Sequence, residues 1–169
     1  MIEFRVGDLL KQEDIEVIIH QCNCFCNMGK GIALQIKNTY PEAYIADCKT
    51  KIGDPDKMGT YTVAIVDNGK KMVVNMYSQY NYGYKMSNSQ AKYTDYDSMT
   101  KALEKFIEDY CISTFETTGK PLICGMPFRI GCDLGGGDWE IVLYMLKRKF
   151  RYDHVDDKSL KLVICEFHP

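Results

Sequence analysis

The period of the apolar positions changes along the chain, and each change marks an element. Ile2 to Val6 alternates apolar and charged side chains, the two-residue repeat of a half-buried strand. Gly7-Asp8 ends it. Ile15 to Ile19 is mostly apolar, and Val17 to Ile19 is continuous and β-branched, as expected of a strand covered on both faces. Gly31 to Asn38 then follows a helical period with Ile32 and Ile36 inward. Pro41 stops that helix and suits the first turn of a second one, over Glu42 to Thr50. Thr60 to Val66 and Met72 to Tyr77 are strand-like runs joined by Asp67-Asn68-Gly69, a hairpin signal. Ser78 to Thr94 is polar, tyrosine-rich and without period, and a loop of that length is a candidate functional segment. Asp95 or Asp97 caps a helix running to about Cys111, with Met99, Leu103, Phe106, Ile107 and Tyr110 on one face. Pro121 to Gly125 is a short buried strand, Asp138 to Phe150 a helix, and Leu160 to Phe167 a last strand.

The resulting order is β-β-α-α-β-β-α-β-α-β. Strands alternating with helices predict an α/β layered domain with a mixed, mostly parallel central sheet and one antiparallel hairpin inside it. Ligands of such sheets lie outside the carboxyl ends of the strands. Two glycine-rich stretches follow strand ends, Met28 to Ala33 and Gly131 to Gly137, so they can share one crevice.

Composition narrows the class. The 169 residues suit a single domain over 1–169, with 46% hydrophobic and 26% charged residues, ordinary for a soluble globular protein. A net charge of −2 gives no strong nucleic-acid signal, since a general binder needs a basic face. The lysine-rich end of the last helix, Lys147-Arg148-Lys149, complements a helix C-terminus and is not read as such a face. No apolar run approaches the ~20 residues of a membrane helix, and the N-terminus has no signal-peptide pattern. The eight cysteines are therefore expected as reduced thiols in a cytoplasmic protein. Cys22, Cys24 and Cys26 lack the spacing of a structural zinc knuckle, so no metal and no cofactor are expected.

The stretch from His20 to Ala33 carries the chemistry. Strand, glycine loop and helix together present backbone N–H groups and a helix dipole to a phosphate. Gly29-Lys30-Gly31 alone is weak, and it is not a Walker loop. Gly131 to Gly137 does not match the dinucleotide fingerprint either. The combination is more specific: Gly7-Asp8-Leu9 after the first strand, His20 and Asn23 after the second, and Ile130-Gly131-Cys132-Asp133-Leu134-Gly135-Gly136-Gly137-Asp138-Trp139 near the end.

That combination resembles the macro domain, an ADP-ribose-binding module, over nearly the whole chain. Within that family it looks most like the branch of the ADP-ribose-1″-phosphate phosphatases. The resemblance implies a three-layer α/β/α sandwich and a small-molecule ADP-ribose derivative as partner. It implies that Asp8 accepts a hydrogen bond from adenine, with Leu9 beside it, and that Asn23 holds the distal ribose. Met28, Gly29, Lys30, Gly31 and Ile32, with Gly131, Cys132, Asp133, Leu134 and Gly135, would wrap the diphosphate. Tyr82 or Phe167 would cover adenine or ribose. Glycine suits such loops because a Cβ keeps backbone away from phosphate.

His20, Asp138 and Asn23 resemble the residues that phosphatase-type members place near the distal ribose, with the histidine as nucleophile or general acid/base. The implied reaction is hydrolysis of ADP-ribose-1″-phosphate to ADP-ribose and phosphate. Two alternatives stand beside it: a glycohydrolase removing ADP-ribose from modified macromolecules, and a module that reads ADP-ribose without chemistry. The lysine and aspartate of one glycohydrolase type fall near Tyr77-Ser78 and at Gly135, which do not supply them. Asp133 stands where the family pattern has glycine, and its charge suits a diphosphate only if the carboxylate points away. Asp138 also reads as a helix N-cap, His20 as a residue satisfying buried backbone, and Asn23 as an Asx turn.

Overall fold

The computed structural model describes residues 2–83, 92–151 and 159–167. Six strands form one sheet: β1 (Ile2–Val6), β2 (Val17–Asn23), β3 (Tyr61–Val66), β4 (Lys71–Gln79), β5 (Leu122–Pro127) and β6 (Leu160–Glu166). Their order across the sheet is β1-β6-β5-β2-β4-β3. Every neighbouring pair is parallel except β3 with β4, the predicted hairpin, whose turn places Asp67 and Asn68 at positive φ. Asn and Gly reach that region at low cost, which is why the Asn-Gly signal was legible.

Helices α1 (Gly31–Thr39) and α2 (Pro41–Cys48) cover one face. Here Ile18, Val73 and Val163 of the sheet pack with Ile36 and Ala43. The other face carries α3 (Tyr96–Phe106), α4 (Ser113–Thr118) and α5 (Trp139–Arg151), where Val17, Ile19, Val74 and Met126 pack against Met99, Leu103, Phe106, Val142 and Leu146. The fold is thus the expected three-layer α/β/α sandwich.

Three boundaries differ from the sequence reading. The helix expected to stop near Cys111 continues through a wider turn at Ile107–Ile112 into α4, and ends where Gly119 takes φ 68°. Tertiary burial of Ile107 and Cys111 carries the helix past the weak formers that follow. Strand β2 runs four residues beyond Ile19, to Asn23, because β4 pairs with it along that length. Of the tyrosine-rich Ser78 to Thr94 segment, residues 84–91, Tyr84 among them, lie outside the described residues.

Two features of the sheet build the site. All five mutually parallel strands end at the same edge, so Gly7-Asp8, Asn23, Gln79, Pro127 and Phe167 are gathered there from distant parts of the chain. In addition β2 and β5 pair only at Val17↔Cys124 and Ile18↔Gly125 and then separate. Beyond that point a crevice opens between them, the place where such sheets take ligands.

Candidate functional site

A cavity of about 570 Å³ fills that crevice, walled by Gln21 and Asn23 from β2, Gly29 to Ala33 at the start of α1, and Phe128 to Gly131 with Asp133 to Gly135 from the loop after β5. A second hollow of about 340 Å³ continues it over the ends of β1 and β6, at Asp8, Leu9 and Phe167. Ile32, Pro127, Phe128, Arg129 and Asp133 line both, so the two are one continuous cleft.

The middle of the cleft is built from backbone donors. Helix α1 begins without a side-chain cap, so the N–H groups of Gly31, Ile32 and Ala33 are its unpaired first turn. Gly31 sits at φ 57°, with open space where a Cβ would stand. In the loop after β5, the N–H groups of Cys132, Gly136 and Gly137 close turns, onto Arg129, Asp133 and Gly131. Those of Asp133, Leu134 and Gly135 bond to no described residue. Three successive donors beside a helix N-terminus form a concavity suited to an anion.

The glycines of this second loop are also required by what lies behind it. A Cβ on Gly131 would stand 3.0 Å from Gln21 Nε2 and from Thr94 Oγ1, and on Gly135 or Gly137 it would stand 2.6 or 2.8 Å from the Gly131 carbonyl. They face the protein behind the loop, and close internal packing is what excludes a side chain.

Asp8 and Leu9 lie at the far end as expected, with Asp8 Oδ1 accepting from Leu10 N–H at 2.9 Å. Gly29, Lys30, Gly31, Ile32, Gly131, Asp133, Leu134 and Gly135 all line the cleft. Tyr82 and Phe167 each line one end. Asp133 does not take positive φ; Arg129 does, at 58°, and its Nε lies 3.4 Å from the Asp133 carboxylate. Asn23 reaches the wall, but its Nδ2 donates to Asn27 O at 2.7 Å and its Oδ1 accepts from the N–H of Phe25 and Asn27. The Asx-turn reading describes that geometry.

Four expected residues are not at the cleft surface. Met28 packs with Cys22 and Tyr77, and Cys132 is buried in the main core, where burial pushes its thiol up to about 11. His20 is fully buried and lines neither hollow. Its Nε2 donates to Asn75 Oδ1 at 2.7 Å, since the Asn75 amide nitrogen is itself donating to Ala43 O. Burial holds the imidazole below its ordinary value and so favours the neutral ring. Asp138 is exposed, lines neither hollow, and caps α5 by accepting from Glu140 N–H at 2.9 Å. Of the expected catalytic pair, His20 thus sits in the core and Asp138 caps α5, and neither lines a hollow.

Strand alternation explains His20 and reveals what was missed. Ile19 faces α3 and α5 and Ile18 faces α1 and α2, so His20 points with Ile18 and Gln21 with Ile19. Gln21 is the β2 side chain beside the second loop, a position readable from the two-residue period once β2 is known to continue. Gln79, Asn27, Phe128 and Arg129 were also missed. Lys57 drew no reading from the sequence either. It is only 7% exposed, and its Nζ meets Asp47 Oδ1 at 3.4 Å, Cys24 O at 3.3 Å and the face of Tyr77 at 4.3 Å, behind the loop that carries Asn27.

Sheet order, helical layers and a cleft at the strand ends define the macrodomain architecture. Among solved structures, the macrodomain of Mycobacterium tuberculosis DarG superposes with a TM-score of 0.71 at 24% identity, covering 100% of this chain and 98% of that one. No family model matches the chain. An uncharacterized 17.5 kDa protein from the tk-vs intergenic region of Enterobacteria phage T4 is 32% identical over 155 residues, 90% of this chain and 86% of its own length. A 78-residue stretch is 41% identical to a DNA ADP-ribosyl glycohydrolase of Mycobacterium tuberculosis, covering 44% of this chain and 22% of that protein. A 55-residue stretch is 40% identical to an ADP-ribose 1″-phosphate phosphatase of Aspergillus fumigatus, 31% of this chain and 28% of that one. The chain has the macrodomain fold.

Proposed function

We propose that this macrodomain binds ADP-ribose-1″-phosphate along the cleft and hydrolyses it to ADP-ribose and phosphate. Adenine lies at Asp8, Leu9 and Phe167, and the diphosphate on the donors of Gly31 to Ala33 and Asp133 to Gly135. The distal ribose lies among Asn23, Asn27, Gln21 and Gln79. The observation that carries this reading is the lining of the distal end. Among the described residues the larger cavity holds one carboxylate, Asp133, and Arg129 pairs with it. The rest is amide, glycine, aromatic and aliphatic, with Lys30 and no further carboxylate. Such a wall favours a phosphate monoester over a cationic substituent.

Water adds to phosphorus as the bond to the ribose 1″ oxygen breaks. The described lining offers no imidazole and no unpaired carboxylate, so the proton of that water passes through a phosphoryl oxygen of the substrate to the departing hydroxyl. The protein supplies orientation and fixed N–H dipoles, which hold developing negative charge without reorganising.

Phosphate release from ADP-ribose-1″-phosphate, paired with calorimetry of ADP-ribose, tests the reading. One ADP-ribose bound per chain with phosphate released is expected. Absence of ADP-ribose binding removes it altogether. Binding without phosphate release removes the phosphatase step and leaves a second reading, release of ADP-ribose from a modified nucleic acid. The 78-residue likeness to a DNA ADP-ribosyl glycohydrolase favours that alternative, and an ADP-ribosylated oligonucleotide is the substrate to offer.

A further inference from the structure

Behind the second glycine loop, one buried threonine collects contacts from three elements. Thr94 is 4% exposed. Its hydroxyl donates to Gly131 O at 2.6 Å and accepts from Gln21 Nε2 at 3.1 Å. The N–H groups of Tyr93 and Thr94 both donate to Gly135 O, at 2.8 and 3.0 Å. Thr94 also bridges to Gln79 at the end of β4, and the next residue, Asp95, donates its N–H to Ser78 O at 2.8 Å. The carbonyls of Gly131 and Gly135 are thereby pulled toward Thr94, on the side away from the cleft. In a trans peptide the carbonyl and the following N–H point in opposite directions, so turning these carbonyls inward constrains the loop between them. That loop carries the unpaired N–H groups of Asp133, Leu134 and Gly135.

The same hydroxyl sets the Gln21 amide. Gln21 Nε2 is committed to Thr94 Oγ1, Ser78 Oγ and Ser78 O, at 3.1, 3.1 and 3.3 Å. Gln21 Oε1 lies 3.4 Å from the same hydroxyl, whose proton is on Gly131 O at 2.6 Å, so Oε1 keeps a lone pair to accept from a further hydroxyl or a water.

We infer that Thr94 is a positioning residue for the diphosphate and distal part of the cleft, acting through the Gly131–Gly135 carbonyls and the Gln21 amide. The inference rests on the ADP-ribose reading for its ligand and on the free protein for its geometry. Thr94→Val keeps the branched shape and removes the hydroxyl. Gly131 O retains Gly137 N–H at 2.9 Å and Gln21 retains Ser78, so the variant strands no buried group and folds.

Two measurements test it. In the ligand-free protein, amide exchange at Gly136 and Gly137 accelerates in Thr94→Val while exchange in β2 and β4 does not, and Thr94→Ser restores the slower rate. In titrations, Thr94→Val weakens ADP-ribose by about tenfold, the cost of one lost buried hydrogen bond, and leaves adenosine, which reaches only the Asp8 end, unchanged. Unaltered exchange at Gly136 and Gly137 overturns the inference, as does equal weakening of adenosine and ADP-ribose. A wild type that does not bind ADP-ribose overturns the proposed function, and the exchange measurement still decides the role of Thr94.

Discussion

Arg129 Nε stands 3.4 Å from the Asp133 carboxylate across the first turn of the second loop, and Arg129 is the residue of that loop forced to positive φ without being glycine. The pairing neutralises an acid on the wall proposed for the diphosphate. Removing Arg129 should therefore harm binding more than removing Asp133. Arg129→Ala is expected to weaken ADP-ribose about threefold at low salt, in the range of exposed pairs, with the difference shrinking as salt rises. Asp133→Gly is expected to bind at least as well as wild type. Calorimetry at two ionic strengths checks both, and a loss on Asp133→Gly would overturn this account of the pair.

Close packing behind the loop sets a second expectation. Gly135→Ala drives a Cβ into the Gly131 carbonyl at 2.6 Å and onto the Thr94 hydroxyl. The loop must move, at a cost of about 1–3 kcal/mol, and ADP-ribose affinity falls with it. Gly31→Ala meets no neighbour but is strained at φ 57°, so its penalty is the smaller backbone cost of about 1–2 kcal/mol. Urea denaturation of the two variants ranks them.

His20 gives a pH prediction with a definite sign. Burial lowers its pKa from 6.5, with the Asn75 hydrogen bond and the Asp47 charge opposing. Below 6.5 the unfolded chain takes up a proton that the folded chain resists. Its contribution to stability is complete above that pH and declines as the pH falls toward the lowered folded value. His20→Gln keeps a donor for Asn75 and loses the titration, so stability of this variant should decline less on acidification over that interval. Phosphate release per folded molecule should be unchanged. A large loss of turnover at preserved structure would return His20 to the mechanism.

The Lys57–Asp47 pair is buried on both sides, at 7% and 1% exposure. Lys57→Met leaves the Asp47 carboxylate with Tyr77 OH at 2.8 Å but no cation. The expected loss is about 3–5 kcal/mol. Lys57→Met with Asp47→Asn should recover much of it, because the stranded charge is gone. Chemical denaturation through the double-mutant cycle measures the recovery. Additive losses would mean the two side chains act independently.

Much of this was legible from local pattern. The Asn68-Gly69 turn, the apolar run through Ile19, Pro41 at a helix start and the glycine loops each carry their signal within a few residues. Asp8 and the loop residues that line the cleft were implied by the resemblance to macro domains. The burial of His20 was hidden for a local reason too: β2 was read four residues short, so the strand face it occupies was not assigned. Gln79, Arg129 and Lys57 had no such signal, because their roles depend on partners brought in by other elements.

By itself the sequence determined the layered α/β class, the hairpin, and two stretches whose backbone must approach something closely. Those outcomes rest on period, turn chemistry and conformational freedom, all properties of neighbours along the chain. Only the tertiary structure decided which strand ends meet, where β2 and β5 part to open the cleft, and which polar residues reach it. Burial and hydrogen-bond partnership are set by residues far away in sequence. That is why His20 closes a core, Asp138 caps a helix, and Thr94, at the end of a loop, bonds to the second glycine loop from behind.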